Sequence, residues 1–158
     1  MMNTVMIGDK LTLSYPDGFH IMDSVEKSNM QFFDGSTGEC LSDPERHILI
    51  SIGAKPIGGI FSFLVSAKDA AKKMEASIRK PMQMYGYLLN RFAEKSVGGE
   101  KTEGFSYEYA SQGTDMYGES YVIKYDRKLY YLNLYARREL LSESLDIWNM
   151  VLSSAKWA

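Results

Sequence analysis

The sequence predicts an α+β domain: a single antiparallel sheet of about six strands flanked by helices. Three observations carry that prediction. Short runs alternate apolar and polar residues between turn signals, the segment from Ser66 switches to helical spacing, and the Tyr-rich stretch from Phe105 to Ala136 keeps a two-residue parity. Length agrees, since 158 residues, 45% hydrophobic and 24% charged, suit one domain spanning 1–158 with enough apolar material for a core.

Taken in order, Leu11-Thr12-Leu13-Ser14-Tyr15 alternates apolar and polar and stops at Pro16-Asp17-Gly18, where Pro presets φ and Gly permits φ > 0. Phe19 to Met22, Met30 to Phe33 and Ile48 to Ile52 read as further short strands, with a polar loop around Gly35 to Glu45. Ser66 and Asp69 have capping-box spacing. Behind them Ala67, Ala70, Met74 and Ile78 share one helical face, while Lys68, Lys72, Lys73 and Glu75 fall elsewhere. Pro81 lacks the N–H for residue 77, which predicts a break, with Met82 to Leu89 as a second short helix that Pro81 begins.

Gly98-Gly99 then turns the chain into a meander. Phe105, Tyr107 and Tyr109 share a face, as do Tyr117, Tyr121, Ile123 and Tyr125, and Tyr130, Leu132, Leu134 and Ala136. A two-residue turn at Asp126-Arg127 pairs Ile123 with Tyr130 and Tyr121 with Leu132, which aligns those faces. Aligning the first set with them requires a three-residue loop, Gln112-Gly113-Thr114, pairing Tyr109 with Tyr117 and Phe105 with Tyr121. A last helix over Ser142 to Ser154, N-capped by Ser142, carries Leu145, Trp148 and Leu152 on one stripe and closes against the sheet.

Composition narrows function mainly by exclusion. With 18 basic and 20 acidic side chains the net charge is −2, so neither nucleic acid nor an anionic membrane finds an electrostatic footprint. Stacking of bases on the 11 tyrosines is disfavoured for the same reason, because those strands carry Glu108, Asp115, Glu119 and Asp126. The apolar run Ile57 to Val65, interrupted by Gly58, Gly59 and Ser62, is too short to span a membrane. No secretory signal pattern opens the chain, and the single Cys40 has no internal partner, so a cytoplasmic setting is favoured.

Catalytic candidates are few: His20, His47 and Cys40 supply the whole stock of imidazoles and thiol. Asp43, Glu45 and His47 alternate ahead of the Ile48 strand, a common spacing for which an exposed loop is the simpler reading than a metal site. Neither glycine pair carries a phosphate-loop pattern, and Arg137-Arg138 with Lys68, Lys72, Lys73 and Lys80 read as solvated element ends. No cofactor, metal or catalytic residue is assigned.

The order of motifs resembles the PsbP-like superfamily. The likeness rests on Tyr15-Pro16-Asp17-Gly18-Phe19, the mid-chain helix, Val97-Gly98-Gly99, the paired Tyr107 and Tyr109, Tyr130-Tyr131-Leu132-Asn133-Leu134, and a last helix running into Ser153-Ser154-Ala155-Lys156-Trp157. It spans roughly Leu11 to Trp157; Phe19 stands where that group often has Trp, and there is no lipobox cysteine. The superfamily includes the extrinsic oxygen-evolving protein of photosystem II, Mog-type Ran-binding factors, DcrB-like lipoproteins and effector chaperones. The resemblance implies an αβα sandwich and a role in binding other proteins rather than in catalysis.

Two features suit a partner surface of an adaptor, chaperone or immunity-type protein. One is the apolar, glycine-hinged Ile57 to Val65 stretch, with Ile57, Ile60, Phe61 and Phe63; the other is the segment after Pro81, with Met82 and Tyr85, in a chain of ten methionines. The alternative is a small-molecule or enzymatic pocket between sheet and helices, lined by tyrosines such as Tyr107, Tyr131 and Tyr135. Oligomeric state is left open by the sequence.

Overall fold

The structure, a computed structural model, describes residues 2–28, 37–59 and 64–158. The chain runs β1 (Met2–Ile7), β2 (Leu11–Pro16), β3 (His20–Ile21), α1 (Ser24–Ser28), β4 (Thr37–Asp43), β5 (Ile48–Pro56) and α2 (Ala67–Met82). It continues through a 3-10 turn at Gln83–Tyr85 to β6 (Leu88–Val97), β7 (Glu100–Ser111), β8 (Thr114–Tyr125) and β9 (Lys128–Arg137), and ends in α3 (Leu141–Ser153) and β10 (Lys156–Trp157). All strand pairs are antiparallel.

The expected α+β class holds, but one sheet of about six strands becomes two sheets. A seven-stranded sheet has the order β3-β4-β5-β9-β8-β7-β6, and β1-β2-β10 forms a second, three-stranded one. β2 alternates buried Leu11, Leu13 and Tyr15 with partly exposed neighbours, as its pattern demands, and the tail strand β10 joins it at Leu11 and Thr12. Trp157 fixes that tail: its Nε1 donates to the Val97 carbonyl at 3.0 Å and its ring stacks on Tyr125 at 4.4 Å. Gly98, at φ 60°, is required there, since a Cβ would sit 2.7 Å from the Trp157 ring.

The large sheet buries both faces. One packs Ile50, Ile52, Tyr121, Ile123, Tyr130, Leu132 and Leu134 against α3, through Ile147, Trp148, Val151 and Leu152, and against Val5, Ile7, Leu11 and Leu13 of the small sheet. The other packs Phe105, Tyr107, Val122 and Leu129 under Ala71, Met74 and Ile78 of α2. This second core explains the main departure from the sequence reading. The β7–β8 turn has two residues, Gln112 and Gly113, not three, and pairs Glu108 with Tyr117 and Gly104 with Tyr121. Phe105, Tyr107 and Tyr109 therefore face α2, away from Tyr117, Tyr121 and Ile123; three residues would be needed only if a single core took every aromatic.

Both residues of each two-residue turn between β6 and β9 have positive φ: Gly98 and Gly99, Gln112 and Gly113, Asp126 and Arg127. That is the mirror-image turn whose twist matches the strands. The second hairpin pairs Ile123 with Tyr130 and Tyr121 with Leu132, as parity predicts. Gly118 sits opposite Tyr107 and Gly104 opposite Tyr121, and a Cβ at either position would overlap the ring it faces.

Other elements are redrawn. The polar Gly35–Glu45 stretch contains β4, whose Leu41 side chain is fully buried and whose seven residues pair with β5. Phe19 to Met22 shortens to the two-residue β3, and the expected strand at Met30 to Phe33 lies outside the described residues. Ser66 caps α2 as expected, its Oγ accepting from the Asp69 N–H at 3.1 Å. Pro81 does not break α2, which runs on to Met82; the segment Met82–Leu89 is no second helix but a single 3-10 turn, closed by Gly86 at φ 72°, leading into β6. Glu75, read as outward, is buried, because Tyr87 donates to it at 2.8 Å and Arg79 pairs with it at 3.3 Å. Ser142 lies inside α3, whose first turn follows a 3-10 turn at Arg138–Leu140 and has no side-chain cap.

Candidate functional site

Beside α2 the sheet is left with a groove of about 1630 Å³. Its floor is the face of β5, β9, β8 and β7 that carries Leu49, Leu129, Tyr131, Tyr135, Met116, Tyr107 and Tyr109. Its wall is one stripe of α2, Ala70, Lys73, Met74, Ser77, Ile78 and Pro81, spaced at the i, i+3 and i+4 intervals that put side chains on one helical face. The remaining boundary comes from Lys55 and Pro56 at the end of β5, from Ile57 and Gly58 just after it, from Leu64 and Val65, and from Asp43, Pro44 and His47.

The aromatic floor is layered. Phe105, Tyr107 and Tyr109 line up along β7 with successive centroids 5.8 Å apart, and Tyr87 stacks on Tyr107 at 5.3 Å. Burial raises the Tyr107 phenol well above its ordinary value, reinforced by the neighbouring Tyr135, Tyr109 and Tyr87 phenols. Burial likewise pushes Tyr135 up to about 12. These phenols are held neutral across the physiological range. Beneath them a polar ladder crosses three strands: Ser120 donates to Asn133 Oδ1 at 2.6 Å, and Asn133 Nδ2 donates to Ser51 Oγ at 3.1 Å. The ladder satisfies its own members, so the buried polar groups of the floor are already spent.

The opposite face holds a buried carboxylate. Glu119 is 4% exposed and takes four donors: Tyr121 Oη at 2.6 Å, Tyr117 Oη at 2.7 Å, Lys95 Nζ at 3.0 Å and Trp148 Nε1 at 3.2 Å. Burial alone would raise its carboxyl, but the two tyrosine hydroxyls and the Lys95 ammonium outweigh it and hold the group below the ordinary carboxylate range. This cluster ties β6, β8 and α3 together and has no cleft above it among the groove residues.

The sequence's catalytic candidates do not converge. His20 pairs with Glu26 at 2.8 Å on the surface, and Cys40 is 3% exposed with its thiol pushed up to about 11 by burial. Asp43 is turned inward: its Oδ1 accepts from the Glu45 and Arg46 N–H groups and its Oδ2 meets Arg46 Nε at 3.0 Å. Among the described residues no three His, Cys, Asp or Glu side chains are grouped to hold a metal. No helix among them is long and apolar enough to cross a membrane.

Of the expected partner-surface residues, Ile57 and Met82 are half-buried against the α2 core and line the groove, while Tyr85 is exposed. Ile60, Phe61 and Phe63 lie outside the described residues. Tyr107, Tyr131 and Tyr135, named for the alternative pocket, do line one groove. Exposed Met84 and Leu88 belong to the Met82 to Leu89 segment that the sequence offers as a partner surface, whereas exposed Phe92, on β6, lies outside it.

No family model matches the sequence and no curated protein matches it. Solved structures do match. The solution structure of cyanobacterial PsbP (CyanoP) from Synechocystis superposes with a TM-score of 0.73 at 15% identity, over 99% of this chain and 92% of that one. LpqN of Mycobacterium tuberculosis, described as involved in cell envelope biogenesis, gives 0.68 at 12% identity, over 100% and 91%. A Pseudomonas aeruginosa protein of unknown function gives 0.55 at 16% identity, over 97% and 94%. At these identities the likeness is one of architecture, and it agrees with the motif order read along the sequence: this chain has the PsbP-like fold.

Proposed function

We propose that the chain is a non-catalytic domain that binds another protein through the apolar surface where α2 ends and β6 begins. One observation carries the reading. Four large apolar side chains within nine residues stand exposed there: Met84 (81%), Tyr85 (47%), Leu88 (60%) and Phe92 (46%). Leaving four such residues close together in water is costly, and β6 is also an edge strand with free backbone groups. Among the described residues no nucleophile, base or metal set converges, which favours a binding role over a catalytic one.

The compartment belongs to the same reading. LpqN, which shares the fold, is described in connection with cell envelope biogenesis, so fractionation of source cells accompanies the test. The test places a photo-crosslinking residue at position 84, and in a second sample at position 6, where Met6 is also exposed but lies on β1. The expected result is one saturable protein adduct from position 84 and none from position 6. Equal adducts from both positions, or none from a folded protein labelled at 84, would overturn the reading.

A further inference from the structure

The groove beside α2 is distinct from that surface, and its chemistry points to a different ligand. It extends along α2 from Asp69 to Met82, a rise on the order of 20 Å at 1.5 Å per residue. Its volume of about 1630 Å³ exceeds the few hundred to a thousand cubic ångströms usual for compact metabolites. The lining is mainly aliphatic and aromatic, with Met74, Ile78, Leu129, Tyr131 and Tyr135 prominent.

Charge at the rim is one-sided. Lys55, Lys72 and Lys73 border the groove, are exposed, and form no ion pair with a described residue. Asp43 is already matched by Arg46, which leaves Asp69 as the one acidic side chain without a cationic partner among the described lining residues. A net positive rim on a chain of net charge −2 is a local feature and not a reflection of composition.

The backbone decides between a peptide and a hydrocarbon. β5, β9, β8 and β7 each have a sheet neighbour on both sides, and the wall is a helix, so floor and wall have spent nearly all their N–H and C=O groups, the Ser77 carbonyl facing Pro81 being the exception. A peptide lying there would bury amides with nothing to bond, at a cost of about 1–3 kcal/mol for each unsatisfied group. A hydrocarbon chain has no such groups.

We propose that the groove is a binding site for a monomeric amphipathic anion, a long-chain carboxylate being the simplest case, with its apolar body on the tyrosine-lined floor and its head among Lys55, Lys72 and Lys73. The probe is dodecanoate below its micelle-forming concentration, measured by titration calorimetry on the full chain. Dodecyltrimethylammonium serves as the cation of equal chain length. Saturable one-to-one binding of dodecanoate is expected, with the cation about tenfold weaker or more. The combined variant Lys55→Gln, Lys72→Gln, Lys73→Gln, all surface changes, is expected to weaken dodecanoate by a similar factor and to bind the cation no more weakly than the wild type does. Ala70→Trp, which fills the groove from α2, is expected to abolish binding; if circular dichroism shows it unfolded, Ser77→Trp replaces it.

Absence of saturable binding, equal affinity for the cation, retention of affinity in the lysine variant, or binding to phosphatidylglycerol vesicles without uptake of the monomer would each overturn the proposal. Because it rests on the groove alone, the position-84 adduct should persist in Ala70→Trp, which separates its failure from failure of the protein-binding reading.

Discussion

At the residue scale, Glu119 is a buried carboxylate held by four donors. Its four donors come from β6, β8 and α3, and their hydrogen bonds outweigh its desolvation. Glu119→Gln keeps the shape but offers one acceptor oxygen to four donors, and it leaves the Lys95 ammonium without its anion. A loss of about 3 kcal/mol is expected from the orphaned buried groups, measured by denaturant unfolding at pH 7. The carboxyl lies below its ordinary value when folded, so its contribution is present above the unfolded carboxylate range and is lost as pH falls through the folded value. The wild type should therefore lose stability more steeply than Glu119→Gln as the pH is lowered through the carboxylate range. None of this was legible in the sequence, where Glu119 was one acid among several on a Tyr-rich strand. The signal was present in the parity of Tyr117, Glu119 and Tyr121, which places all three on one face.

At the scale of elements, legibility followed the turn chemistry. The Asp126-Arg127 hairpin is readable because both its strands turn their longest apolar set to the same core, whereas the Gln112-Gly113 hairpin is not, because β7 puts its aromatics on the other face. The missing information was the existence of a second core under α2, which no local pattern declares. β6 went unseen for a related reason: it is an edge strand, mostly exposed, and its Leu88–Val97 sequence shows no clean alternation. The register claim has a direct test. Inserting one residue after Gly113 creates the three-residue loop and would turn Phe105 and Tyr107 away from α2, so the protein should fail to give a dispersed NMR spectrum. A well-folded insertion mutant of wild-type stability would contradict the two-core assignment. Pro81 teaches the complementary point: α2 carries it one residue from its end, where little helix remains to be disrupted.

At the scale of the whole molecule, the seven-stranded sheet is a partition between an aliphatic core, closed by α3 and the three-stranded sheet, and an aromatic side only partly covered by α2. The sequence foresaw the fold class and the tyrosines of the groove but not this asymmetry, since it depends on where α2 lies across the sheet. Burial, the largest cause at each, raises eight phenols: those of Tyr87, Tyr107, Tyr109, Tyr117, Tyr121, Tyr130, Tyr131 and Tyr135. Groups whose folded values are raised stabilise fully below the unfolded tyrosine value of about 10 and lose that contribution as pH rises through the folded values. The tyrosinate absorbance contributed by these eight phenols should accordingly rise in one cooperative step with alkaline unfolding, not gradually near pH 10. The central claim, that this fold binds a protein through its exposed α2–β6 corner, is tested most directly by Leu88→Asp. Once the position-84 adduct is identified, calorimetry of that purified partner should show at least about a tenfold loss of affinity, worth about 1.4 kcal/mol, with an unchanged melting temperature. Undiminished affinity in the folded variant would contradict it.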